Sequence, residues 1–181
     1  MSSVMNIVQR AAIGGYVRDA FSGGGIPDAK VTVVGQARVA RTDPDGFYFF
    51  VNLPVGSYTL EAYAPALYGR YGSITAMNVV VAVDAAGRPV LDTRANLTLS
   101  PTRLSGRVCR ADGSGVARSQ IWLRAVNLKT IANSLGEYAF SAIQAGTQTA
   151  HVTAPGFSLL EQRVELRTGE TTHTNFTLNG S

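Results

Sequence analysis

The sequence predicts an all-β protein built from two tandem seven-strand β-sandwiches. Three observations carry this. Residues 26–65 and 116–155 align with each other at a constant offset of 90. Apolar residues inside the repeat recur at every second position. No stretch of helical length carries apolar residues at a 3.6-residue period.

The repeat can be followed along the chain. Gly15-Tyr16-Val17 aligns with Gly106-Arg107-Val108 after a slip of one residue. Val31-Thr32-Val33 aligns with Ile121-Trp122-Leu123, and Gly46-Phe47-Tyr48-Phe49-Phe50 with Gly136-Glu137-Tyr138-Ala139-Phe140. Leu53 matches Ile143, Gly56 matches Gly146, and Ala64-Pro65 matches Ala154-Pro155. Asn96-Leu97-Thr98-Leu99 matches Asn175-Phe176-Thr177-Leu178 at an offset of 79, so the first copy is 11 residues longer between Pro65 and its last strand.

In the first copy Val31, Val33, Tyr48, Phe50, Tyr58, Leu60, Ala62, Ala64, Ala95, Leu97 and Leu99 all fall on the inward side of the alternation. Side chains of a strand point to opposite faces in turn, so this pattern buries one face of each strand. The runs are short, rich in Val, Thr, Tyr and Phe, and separated by Gly, Pro, Asp and Asn. The expected strands are 12–19, 30–35, 37–42, 47–52, 57–64, 75–84 and 93–99, then 103–110, 120–126, 128–133, 137–142, 147–154, 160–167 and 172–178. This gives an N-terminal arm over 1–11, a first domain over 12–100 and a second over 101–181, with Pro101 between the copies.

Composition narrows the function. The 181 residues carry 16 basic and 12 acidic groups, a net charge of +4. Only Lys30 and Lys129 are lysines. The charge is spread without a basic run, which speaks against a nucleic-acid binder. Cys109 is the single cysteine, so an intrachain disulfide and a cysteine-based zinc site are both excluded. No segment has the length and apolarity of a membrane-spanning helix. The first ten residues lack the charged start and apolar centre of a secretory leader. Synthesis in the cytoplasm followed by assembly or non-classical export is therefore expected, or an extracellular site if a leader was removed.

The repeat resembles the carboxypeptidase regulatory-like domain, a transthyretin-like Greek-key β-sandwich. The resemblance rests on Gly15-Tyr16-Val17-Arg18-Asp19, Ala29-Lys30-Val31-Thr32-Val33, Thr42-Asp43-Pro44-Asp45-Gly46-Phe47-Tyr48-Phe49 and Leu53-Pro54-Val55-Gly56-Ser57-Tyr58-Thr59-Leu60. The second copy keeps Gly136, Tyr138, Phe140, Gly146 and Ala154-Pro155-Gly156-Phe157, and departs at Leu135, Gln144 and Gln148. The resemblance covers almost the whole chain after residue 12. It implies an accessory module rather than a catalytic one, and fold alone does not assign a task.

His151 and His173 are the only histidines, and neither has a metal-ligand partner at His-x-x-Glu or His-Glu-x-x-His spacing. Both are expected to be solvated imidazoles. Asp43-Pro44-Asp45-Gly46 could offer calcium hard oxygens, but Pro, Asp and Gly at this spacing read as a tight turn. Lys30, Glu61 and Asn96 could form an intramolecular isopeptide trio, yet alternation points Lys30 and Glu61 outward. Cys109 has no histidine near it in sequence to pair with. No cofactor or metal is expected, and the chain reads as a non-enzyme.

Aromatic residues at outward positions are the more informative signal, because large apolar groups left in water mark interfaces. These are Phe47, Phe49, Tyr63 and Trp122. Tyr68, Arg70 and Tyr71 join them from a loop in the segment that the second copy shortens, although a plain Gly-rich loop is the simpler reading there. The seven form the candidate partner surface, with packing between the two domains or under the 11 extra residues as the equal alternative for the outward aromatics. The expected function is that of a structural or protein-interaction subunit or accessory of a larger assembly, a phage-like or contractile machine being one setting. The alternatives are a carbohydrate-binding or cell-surface accessory, with aromatic rings stacking on sugars, and an enzyme with an unrecognised site.

Overall fold

The strands of both repeats are present in a computed structural model that describes residues 11–180. The expected arm, apart from Ala11, lies outside the described residues. The described chain divides into two compact units, one of residues 11–66 and 73–99, the other of residues 67–72 and 100–180. Each is a two-sheet sandwich.

In the first unit the strands are β1 (Ala11–Asp19), β2 (Lys30–Val33), β3 (Arg38–Arg41), β4 (Phe47–Val51), β5 (Gly56–Tyr63), β6 (Ile74–Val83), β7 (Pro89–Val90) and β8 (Leu97–Leu99). One sheet has the order β4-β1-β8 and the other β3-β2-β5-β6-β7. In the second unit they are β9 (Arg103–Cys109), β10 (Gln120–Leu123), β11 (Leu128–Ile131), β12 (Glu137–Phe140), β13 (Gly146–Thr153), β14 (Leu160–Leu166), β15 (Thr171–His173) and β16 (Phe176–Thr177). The orders are β12-β9-β15, with β16 also on β9, and β11-β10-β13-β14. Inward faces of the two sheets close on each other, burying Ile13, Val17, Val31, Val33, Leu60 and Leu99 in the first unit. Leu104, Val108, Ile121, Leu123 and Phe176 do the same in the second.

The two copies share the same fasteners. Tyr48 donates its hydroxyl to the Ala95 carbonyl at 2.6 Å, and Tyr138 donates to the Thr174 carbonyl at 2.7 Å. Both carbonyls precede the last strand, so each tyrosine ties that strand across the first. Glycine makes the room: a Cβ on Gly15 would lie 2.2 Å from the Ala95 oxygen, and one on Gly106 would lie 1.7 Å from the Thr174 oxygen. Burial pushes both phenols well above the ordinary tyrosine range. The Asp43 turn is closed by its own carboxylate, which accepts the Asp45 and Phe47 amides. Asn133 does the same for Leu135 and Glu137. The turn therefore needs an oxygen acceptor and not a charge.

The last strand of each copy runs parallel to the first, with Val17 opposite Leu97 and Phe176 opposite Val108. Several expected strands are corrected. The expected strand 93–99 is a 3-10 turn over Thr93–Ala95 followed by β8, because the Asp92 carboxylate caps that turn at the Arg94 amide. The expected strand 172–178 is divided into β15 and β16. A short strand, β7, was not expected at all. Tyr58, expected inside, is half-buried and donates to the Pro54 carbonyl; β5 and β6 shift register between Tyr58 and Leu60.

The extra length of the first copy is spent in two places. One part forms the β6–β7 hairpin. The other, Leu67–Gly72, belongs to the second unit. There the Gly69 carbonyl accepts the Ala145 amide and the Thr102 hydroxyl, both at 2.9 Å, and the Arg70 carbonyl accepts the Thr102 amide at 2.8 Å. The Gly72 amide donates to Ser100, and Tyr71 bridges Pro101. This segment is a strap held through its backbone by Ser100, Thr102 and Ala145, not the plain loop expected.

Candidate interaction surfaces

Phe47 and Phe49 stand on β4 and point away from the core. Antiparallel pairing sets Tyr16 of β1 opposite Phe47 and Gly14 opposite Phe49. All four positions therefore share the outer face of the β4-β1-β8 sheet. The rings form a continuous series, Tyr16 to Phe47 at 5.3 Å and Phe47 to Phe49 at 6.1 Å between centroids. The Arg18 guanidinium lies 4.6 Å from the Tyr16 ring centre and extends the series by one residue. Phe49 is 54% exposed.

Beside this series lies a groove of about 320 Å³, lined by Gly14, Tyr16, Phe47, Leu91, Asp92 and Asn96. Gly14 forms its floor; a Cβ there would meet Leu91 and the Phe47 ring at 3.8 Å. Leu91 is 57% exposed and stands between this groove and a second of about 330 Å³ beneath Val80, Ala82 and Arg94. The rim is fixed by Asp92, whose carboxylate takes the Arg94 side chain and the Val80 and Arg94 amides. The Arg94 guanidinium first, then those amides, hold its pKa down at about 2. Tyr16, Gly14 and Leu91 are part of this surface in addition to the outward aromatics expected from the sequence. The alternation did contain the signal for Tyr16, which lies between inward Gly15 and Val17.

The corresponding face of the second unit has the same backbone and different chemistry. Arg107 stands opposite Glu137 and Ser105 opposite Ala139. Arg107 donates to the Leu135 carbonyl at 2.7 Å, Glu137 accepts from Asn133, and Ser105 meets His173 Nδ1 at 2.9 Å.

The remaining candidates are elsewhere. Tyr63 is on β5, in the other sheet of the first unit, half-buried with the Lys30 ammonium 5.5 Å from its ring centre. Tyr68, in the strap, is 83% exposed. Arg70 is exposed and Tyr71 half-buried. Trp122 lies in a row across four strands, Lys129–Trp122–His151–Glu161. The Lys129 ammonium is 4.8 Å and the Arg124 guanidinium 5.8 Å from its ring centre. The indole N–H is buried with no hydrogen-bond partner. His151 is not a solvated imidazole. Its side chain is only 12% exposed, covered by Trp122 and paired with Glu161 at 3.3 Å. Within the first unit Phe47 and Phe49 are brought together with Tyr16, and Tyr63 lies on the other sheet; Tyr68, Arg70, Tyr71 and Trp122 belong to the second unit.

The isopeptide candidates Lys30 and Asn96 each have another partner. Asn96 accepts the Tyr16 amide, and Lys30 sits over Tyr63. A cleft of about 460 Å³ contains Arg110 and Asp112, but both charges close the local turn through Ser114. Among the described residues no cluster of three or more His, Cys, Asp or Glu could hold a metal ion. No helix among them is long and apolar enough to cross a membrane.

The model of the carboxypeptidase regulatory-like domain matches residues 12–94 and again residues 103–179. The chain belongs to this family. Its two carboxypeptidase regulatory-like domains also resemble solved structures. The Bacillus anthracis TIE protein matches with a TM-score of 0.50 and 17% identity over 95% of this chain and 34% of that one. The shaft pilin SpaA of Lactobacillus rhamnosus GG gives 0.39 and 9% over 96% and 99%. A cohesin–X-dockerin complex of Acetivibrio cellulolyticus gives 0.37 and 20% over 50% and 57%. The chain thus spans about a third of the TIE protein chain. The likeness to the TIE protein shows the fold of these tandem domains. No curated protein matches the chain.

Proposed function

We propose that this protein is a non-catalytic interaction module, a structural or accessory subunit of a larger assembly, and that it holds its partner on the aromatic face of the first domain. One observation carries the reading. The same sheet face occurs twice in the chain; it is Tyr16, Phe47 and Phe49 in one copy and Arg107, Glu137 and Ala139 in the other. The fold is satisfied by the polar version, so the exposed rings serve something outside the fold. Aromatic residues clustered beside a groove are the usual centre of a protein interface. The partner is a protein presenting apolar side chains to the groove beside Gly14, with a phage-like or contractile machine as one setting.

The test is affinity isolation with wild type against the Phe47→Glu/Phe49→Ala double variant. Partners retained by wild type are expected to fall at least about tenfold with the variant, as for loss of interface hot spots. The melting temperature should be nearly unchanged, because these are surface positions. Equal retention by both proteins would refute the assignment. Tyr68, exposed on the strap, favours glycan binding as a second reading. That reading expects retention on immobilised polysaccharide that Tyr68→Ala removes and the Phe47 variant does not.

A further inference from the structure

We infer that two copies of this chain pair edge to edge through β14, antiparallel, with Gln162 of one opposite Gln162 of the other. β14 ends its sheet: β13 lies on one side, and no described strand pairs with the other. It runs against β13 without a register break, from Leu160 opposite Val152 to Leu166 opposite Gly146. An edge this regular is a template for another strand.

The first domain shows how this fold guards the same edge. The matching strand β6 carries Asn78 at φ 60 and a register shift against β5. Its end is covered by β7 at Ala82 and Val83. β14 has neither device, and it contains no Pro or Gly.

Charge selects the occupant. Glu161, Arg163 and Glu165 alternate along one exposed face. Two-fold antiparallel pairing must set odd positions opposite odd ones for both strands to face the same way. Centring on Arg163 would set it against itself and Glu161 against Glu165, which is repulsive throughout. Centring on Gln162 sets Glu161 opposite Arg163 of the second copy, twice by symmetry, and Leu160 opposite Val164. Centring on Val164 would need the edge beyond Glu165. There the Thr172 hydroxyl already donates to the Glu165 carbonyl, and the chain turns back where the Glu170 amide meets Arg167. The strand is complementary to itself in the register that its free length allows. Each copy contributes four strands, β11-β10-β13-β14, to one sheet continuous through the pair.

Sedimentation equilibrium of the full chain tests this. Wild type is expected to reach a monomer–dimer equilibrium that weakens with salt. E161R and R163E should each weaken dimerisation roughly tenfold or more, since two attractive cross-strand pairs become repulsive. An equimolar mixture of the two variants should regain wild-type association, because each Arg again faces a Glu. E165R should dimerise as wild type does. A wild type that stays monomeric at millimolar concentration overturns the inference. So does a mixture no better than its components when both melt normally, or an E165R variant as weak as E161R.

Discussion

Replacing Thr102 by Val isolates what holds the strap. Thr102 is fully buried, and valine has nearly its shape, so packing is kept and only the hydroxyl is lost. That hydroxyl donates to the Gly69 carbonyl at 2.9 Å and accepts the Gly169 amide at 2.8 Å. The Gly69 carbonyl keeps the Ala145 amide as a donor, so it is not orphaned, whereas the Gly169 amide loses the acceptor seen here. Two net hydrogen bonds and one poorly satisfied amide amount to about 2 kcal/mol. For a domain of this size, that lowers the melting temperature by roughly 8–16 °C. Trp122 is the only tryptophan and lies in the second unit, so its fluorescence follows that unit's unfolding. The strap should also become open to trypsin at Arg70. Thr102→Ser, which keeps the hydroxyl, should recover most of the loss. A Thr102→Val melt within about 2 °C of wild type would refute this account of the strap, since 2 kcal/mol cannot be hidden in a unit this small.

Other consequences are measurable in the same way. Tyr48→Phe removes the donor to Ala95 and should cost about 1 kcal/mol in the first unit, read by calorimetry; Tyr138→Phe should do the same in the second. Because burial raises both phenol pKa values in the folded state, folding holds those protons. Stability should therefore be intact below about pH 10 and fall as pH rises beyond it, and absorbance at alkaline pH should show both tyrosines ionising last. Asp92 has the opposite sign. Its folded pKa of about 2 lies below its unfolded value, so its contribution is present above about pH 4 and lost as pH falls towards 2. NMR titration of the Asp92 carboxylate checks the value, and Asp92→Asn should flatten the acid limb of the first unit's melting curve.

Much of this fold could be read because the two copies check each other. Tyr48 with Tyr138, and Gly46 with Gly136, fixed the same turn and the same inward ring twice. Alternation gives the direction of a side chain but not its cover. Hence Trp122 and His151 were both placed outward, and nothing in the sequence said that neighbouring strands would lay Lys129 and Glu161 beside them. The division of 93–99 at the Asp92 cap is a local hydrogen-bond choice that apolar periodicity does not register. Parallel pairing of the last strand with the first joins residues about 80 positions apart, such as Val17 and Leu97, a separation at which pattern carries no register. The strap was invisible for a different reason: on its own side the bonds are made by backbone groups of Gly69, Arg70 and Gly72, which every residue has. The aromatic face was half legible, since Phe47 and Phe49 stood out while Tyr16 was absorbed into the motif that named the strand.

Because Leu67–Gly72 lies in the second unit while the chain before and after it lies in the first, the polypeptide passes between the units three times. A single nick at any one passage would leave the halves covalently joined by the other two. A gene cut at the repeat boundary would strand six residues with the wrong half. The repeat seen in the sequence is therefore not the stretch of chain that makes a folded unit: a second half meant to be excised, shuffled or expressed alone has to carry 67–72 with it.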